Sequence, residues 1–209
     1  VGGKMRKKFN FIMIGIIMVS IFSITACGSK AKKSYDNDKV VKSFTEESRD
    51  TSLDGILDGD VYINDVFNIK FDAKVANMEM VDDQELSAMH ISHGDYSIRM
   101  EANSSDSGKT VSFKILEDST DIKSYIDEEI AVIKDDNKGL GDENIKVESN
   151  TLNFLGEDVP CLNSVLTSGS VKYYHTEVFL QSGNHVAVIE VNTTDEQVED
   201  CLNAFTKAD

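Results

Sequence analysis

Hydrophobic and polar positions follow two rhythms along this chain. Phe67, Ile69, Phe71 and Ala73 alternate with Asn68, Lys70 and Asp72, the two-residue period of a strand with one buried face. Tyr96, Ile98, Met100 and Ala102 repeat it, as do Val111, Phe113 and Ile115, and the turn-rich segment 103–108 between them predicts a hairpin. Further strands are expected over 145–154, 159–167, 171–181 and 185–192. Ser168-Gly169-Ser170 and Ser182-Gly183-Asn184 join the last three as tight turns, where glycine accepts the positive φ. The helical rhythm appears at Ile122, Ile126, Ile130 and Ile133, one stripe that ends before Gly139 and predicts a helix over 121–137. A shorter helix is expected over 82–89, with Leu86 and Met89 inward. Thr194-Asp195-Glu196-Gln197 has the form of a capping box, and Val198, Cys201, Leu202 and Phe205 follow it as the buried stripe of a C-terminal helix. Strands linked by hairpins, with helices between them rather than regular βαβ crossovers, predict an α+β domain: a mainly antiparallel sheet with helices packed on it.

That domain is expected over 60–209. Before it, residues 28–59 are polar, with scattered apolar positions such as Val40, Val41 and Phe44 and no sustained period, which reads as a flexible tether reaching roughly 30 Å. The opening residues have the layout of an export signal: Arg6-Lys7-Lys8, an apolar run over 9–24, then Ile24-Thr25-Ala26-Cys27 followed by Gly28 and Ser29. The last four residues of that signal resemble the lipobox of bacterial lipoproteins. The resemblance implies cleavage between Ala26 and Cys27, with Ile24, Thr25 and Ala26 recognised by the peptidase. It also implies a diacylglyceryl thioether on the Cys27 sulfur, attaching the protein to the outer face of the cell membrane. Two acyl chains hold a protein stably where one does so only marginally. An uncleaved transmembrane helix is the competing reading. Lys30, Lys32 and Lys33 beyond the run favour it, and a run somewhat short of the roughly 20 residues needed to span opposes it. Val1 to Lys4 precede a more ordinary signal-peptide start at Met5 and are expected to be an untranslated ribosome-binding element read through as codons.

Charge narrows the partners. The leader holds Lys4, Arg6, Lys7 and Lys8 and no acid, so residues 28–209 carry 17 of the 21 bases against all 37 acids, a formal charge of −20. Such a surface repels nucleic-acid phosphates and anionic headgroups, which excludes nucleic acid as the expected partner. The membrane is then reached through lipid on Cys27, and an envelope protein or small ligand remains as the other expected partner.

The domain also resembles a family of small Gram-positive lipoproteins whose exported part has the PsbP-like α/β fold. Tyr62, Asn64, Phe67, Ile69 and Phe71 carry the resemblance at its opening. The acidic turn over 82–86, Tyr125-Ile126, Leu155-Gly156 and the stripe ending at Phe205 carry it further on. It departs from the family where a Pro and a Trp follow the first long strand, since 73–80 holds neither. The resemblance implies a non-enzymatic envelope protein and carries over no site.

Candidate chemistry is sparse. With Cys27 lipidated, Cys161 and Cys201 remain as an even pair in an exported domain, either bonded between a strand and the last helix or left as two buried thiols. His90 and His93 are spaced as paired ligands on a helix, but Gly94 and Asp95 place them in a loop and only Asp95 stands by to complete a metal set. His175 and His185 are expected as sheet residues. Segment 135–146 puts Leu140 and Lys146 where a calcium loop needs Gly and Glu, so the calcium reading fails and no metal or cofactor is expected. Within 60–209 no phosphate loop, GxSxG elbow, HExxH or SxxK is present. The expected function is therefore an envelope binding or interaction module. The alternatives are an envelope enzyme or metal-dependent hydrolase whose site is assembled from distant residues, and an assembly factor for a membrane complex.

Overall fold

A computed structural model describes residues 50–208, apart from 94, 106, 107, 117, 195 and 197. The export signal, the lipobox residues Ile24, Thr25, Ala26 and Cys27, and the tether up to residue 49 lie outside the described residues, as do two positions of the expected capping box. The described strands are β1 (Ile56–Asp58), β2 (Val61–Asn64), β3 (Ile69–Asp72), β4 (Glu79–Met80), β5 (Ile98–Asn103), β6 (Thr110–Ile115), β7 (Ile145–Phe154), β8 (Glu157–Ser168), β9 (Val171–Ser182), β10 (His185–Thr193) and β11 (Phe205–Thr206). The helices are α1 (Asp83–His93), α2 (Ile122–Asp136) and α3 (Val198–Leu202). Strands pair in two antiparallel sheets, β1-β2-β3-β11 and β4-β5-β6-β10-β9-β8-β7. The fold is α+β, as the alternation pattern requires.

Strand β10 has both faces buried, and its register separates them. Ala187, Ile189 and Val191 lie beside Leu180, Val178 and Thr176 of β9 and Ile115, Phe113 and Val111 of β6 on the inner face. The four-stranded sheet brings Tyr62, Ile69, Phe71 and Phe205 into the same core. Rings cross between the layers: Phe113 lies 5.7 Å from Tyr62 and 5.6 Å from Phe67, and Phe205, 4.7 Å from its strand neighbour Phe71, lies 5.7 Å from Phe154. The outer face of the seven-stranded sheet carries Val186, Val188, Glu190 and Asn192 of β10, His175, Glu177 and Phe179 of β9, and Ser112 and Lys114 of β6. Helix α2 covers it, with Tyr125 edge-on to Phe179 at 5.7 Å. Asp121 starts that helix by accepting from the backbone N–H of Lys123 at 3.2 Å, a side-chain N-cap.

Several expectations change. The ordered fold begins before residue 60, because the hairpin of β1 and β2 and the buried Leu53 belong to the smaller sheet and its core. Helix α1 runs on to His93, past the expected end at Met89. Leu86 and His90, four apart, both face inward, and no glycine interrupts the helix before residue 94. The terminal helix stops at Leu202, since Phe205 leaves the helical stripe to pair with Phe71 as strand β11. Ile98 and Met100 do not share a face. Ile98 sits opposite Lys114 and Met100 opposite Phe113, so Arg99 is an extra residue in β5, a bulge. Cys161 and Cys201 are both buried as free thiols, so the strand-to-helix bond is not formed. Among the described residues no helix is long and apolar enough to cross a membrane.

Candidate functional site

Among the described residues, two places gather polar side chains. The first is a cleft of about 300 Å³ between the β1–β2 hairpin, β5 and α1. The bulge in β5 aims Arg99 into it. This side chain is only 2% exposed, and its Nε lies 2.7 Å from Oδ1 of Asp54. Its guanidinium also donates to the carbonyl oxygen of Tyr96. Asp54 is set by the turn before it, where Asp50 accepts from the N–H of Ser52 at 2.9 Å. Next to it the Tyr62 hydroxyl accepts from the N–H of Gly55 and from Nδ2 of Asn64, each at 3.2 Å, and burial pushes its proton affinity up to about 12. Residue 55 must be glycine, because a Cβ there would lie 2.3 Å from the Tyr62 ring. The facing wall is α1, which contributes Asp83, Leu86, Ser87 and His90. His90 is buried, with Nε2 2.9 Å from the carbonyl oxygen of Ile98 and its ring 5.2 Å from that of Tyr96.

The second place is the centre of the outer sheet face beneath α2. Lys114 of β6 is ion-paired with Oε2 of Glu190 on β10, both side chains nearly inaccessible. Glu190 Oε1 accepts from Nδ2 of Asn192 at 2.8 Å and lies 3.9 Å from Nδ1 of His175. His175 Nδ1 is 2.8 Å from Oδ1 of Asn192, and its Nε2 is 3.4 Å from Oε1 of Glu177, near enough for an ion pair but not aligned as a hydrogen bond. Burial alone would strip His175 of its proton, but Glu177, and then Glu190 and Asn192, outweigh it and hold the ring up at about 9. Burial would likewise raise Glu190, but Lys114 first and then His175 bring it down to about 2. Lys114 stays raised because Glu190 outweighs its own burial. Glu129 enters from α2. Burial, and next the negative charge of Glu177, push its carboxyl up to about 7.

The two places are separate, and they differ in kind: the cleft is open to a ligand, whereas the cluster is sealed under a helix. Neither collects the histidine pairs read from the sequence. His90 lines the cleft, while His175 joins the cluster and His185 pairs with Asp118 at 2.6 Å near the hairpin end. Nor does either take the cysteines. Burial holds the Cys161 thiol up at about 11, far from a thiolate. Among the described residues no three His, Cys, Asp or Glu side chains are placed to hold a metal ion. The residues that do build these places, Asp54, Arg99, Lys114, Glu129, Glu177 and Glu190, were not singled out from the sequence. Some left a signal. Glu129 lies four residues from both Tyr125 and Ile133 on the inward stripe, and Glu190 is a lone charge within the apolar run 186–191.

No protein-family model matches the chain, and no curated protein matches it. Among solved structures, a crystal structure of a Pseudomonas aeruginosa protein of unknown function, PA94, is similar over 46% of this chain and 67% of its own, with 16% identity and a TM-score of 0.28.

Proposed function

We propose that this chain is a lipid-anchored binding protein of the cell envelope whose cleft beside Arg99 holds a small polar ligand. The observation that carries the reading is the way the cleft is built. A bulge delivers a buried guanidinium, a carboxylate fixes it, and a glycine lets the backbone lie on Tyr62, so a concave polar surface stands ready before any ligand arrives. Its volume of about 300 Å³ suits a molecule of amino-acid to dipeptide size. The large exposed apolar residues Ile56, Val75, Ile91, Val132 and Val171 are spread over different elements, which favours a small ligand over a docked protein. The anchor rests on the lipobox resemblance at Cys27, and the PsbP-like resemblance agrees with a non-enzymatic role.

A thermal-shift screen with amino acids, dipeptides and sugars tests the cleft. At least one compound is expected to raise the melting temperature of the wild type and to leave Ser87→Trp unmoved, because an indole on the exposed wall of α1 fills the space. Equal shifts in both proteins, or none in either, defeat the reading. Cys27→Ala is expected to abolish palmitate incorporation in cells, and undiminished labelling defeats the anchor.

A further inference from the structure

The polar cluster under α2 contains a feature that ion pairing does not resolve. Glu129 of α2 and Glu177 of β9 each have one carboxyl oxygen, Oε2 in both, buried without a hydrogen-bond partner. Such oxygens are costly to bury, and two ionised carboxylates in one dry site repel each other. The cations do not remove the problem. Lys114 is committed to Glu190, and His175 is held between Glu177, Glu190 and Asn192. A proton on Glu129 does remove it, because the carboxyl is then neutral beside Glu177.

We infer that Glu129 carries a proton while helix α2 is closed, and that losing it loosens the helix from the outer face of the seven-stranded sheet. The helix is then a cover held by a proton. The groups that face Glu129 account for this from each side. Glu177 and His175 stand on β9, Glu190 on β10 and Lys114 on β6, while Tyr125 shares its own helix, and Asp95 in the loop before β5 acts on Tyr125 and Lys114. Glu177 is the strongest of the charges acting on Glu129, and it opposes ionisation. Ile126 and Ile133 are the buried residues of α2 around Glu129, so the helix rests on a short apolar contact with an acid inside it. With the helix lifted, Phe179, Val186 and Val188 would meet solvent. This inference stands apart from the cleft and from the anchor and fails or survives independently of both.

Hydrogen exchange on the full chain at pH 5.5 and pH 8.5, corrected for intrinsic rates, tests it. With the Glu129 carboxyl at about 7 in the closed state and 4.5 when free, opening of α2 is expected to rise roughly 30-fold between the two conditions. Amides of β9 and β10 are expected to keep their protection. In Glu129→Gln the side chain is neutral at every pH, so the roughly 30-fold share due to Glu129 is expected to vanish, leaving only what His175 contributes as pH nears 9. Three results overturn the inference: a wild-type change below about 3-fold, a Gln variant that keeps the full response, or equal loss of protection in β9 and β10. Should the Gln variant not fold, carboxyl carbon NMR of the wild type decides. A Glu129 midpoint near 7 supports the inference, and a midpoint in the ordinary glutamate range overturns it.

Discussion

Replacing Glu190 by Gln tests the cluster most sharply, because one carboxylate serves three partners. Its Oε2 balances Lys114, and its Oε1 accepts from Asn192 and faces His175. Gln keeps the shape and removes the charge. Lys114 and His175 are then two cations in a nearly inaccessible place with their shared carboxylate gone, and the new amide N–H₂ points at a donor whichever way it turns. Breaking a buried pair in this way costs roughly 3–5 kcal/mol, because the surviving charge stays desolvated. Against a total stability of about 5–15 kcal/mol, that is a large share. In urea, with a slope of about 2 kcal/mol per molar, the midpoint is expected to fall by roughly 2 M. Lys114→Met in the Glu190→Gln background should recover at least about 1 kcal/mol, since it withdraws the stranded cation, whereas Lys114→Met alone is expected to destabilise. A midpoint shift under about 0.5 M, or an equal cost for Lys114→Met in both backgrounds, would show that the cluster is not a closed electrostatic unit.

Other consequences are open to measurement. Stability should depend on pH through three groups. Glu190, depressed from 4.5 to about 2, contributes above 4.5 and is lost as pH falls through 2. His175, raised from 6.5 to about 9, contributes below 6.5 and is lost as pH rises through 9. Glu129, raised from 4.5 to about 7, disfavours the fold progressively as pH climbs between those values. Thermal melts should therefore peak at roughly pH 4–5, where the gain from Glu190 and the loss at Glu129 balance, and a peak at or above pH 8 contradicts the assignment. Phe113→Ala should cost about 3–5 kcal/mol in chemical denaturation, since the ring is fully buried between the sheets, while Val132→Ala on the exposed side of α2 should stay within about 0.5 kcal/mol. Cys161 and Cys201 should resist a thiol reagent in the native state and both react in urea, and a mass two units lower after oxidative refolding would contradict the free-thiol assignment.

The parts of this fold legible in the sequence are those whose pattern is local. The paired strands from Ile145 to Thr193 announce themselves through alternation and glycine turns, and Gly169 and Gly183 do take positive φ there. Helix α2 lies within one residue of its expected ends because Asp121 caps it and an isoleucine stripe fills one side. Legibility fails where a long-range partner decides. Phe205 reads as helical by spacing, yet the edge of β3 offers backbone partners that the end of a five-residue helix cannot match. Ile98 and Met100 read as one face because a bulge has no signature in alternation, and Arg99 is hidden with it. The cluster was hidden for a different reason. Lys114, Glu129, His175 and Glu190 stand on four elements, and only the order β6-β10-β9, which closes across the helix connection from Ile115 to Ile145, brings them together. Their parity along each strand is readable, but which face a helix will cover is not.

The two faces of the seven-stranded sheet thus close by opposite means. Inside, Phe113, Val178 and Ile189 meet the smaller sheet through carbon alone, an interface that gains from every buried ring and is indifferent to pH. Outside, α2 closes over ions that must each lose water, and at Glu129 that loss is not repaid. An apolar outer face of the same shape would hold the helix more tightly. Keeping Lys114, His175, Glu177 and Glu190 there makes α2 the weaker of the two contacts, so partial opening should start at the helix while the sheet pair stays closed. At neutral pH the amides of α2 are accordingly expected to exchange at least tenfold faster than those of Val111 and Phe113 in β6. Equal rates would mean that the layers open together and that the charged face carries no mechanical consequence.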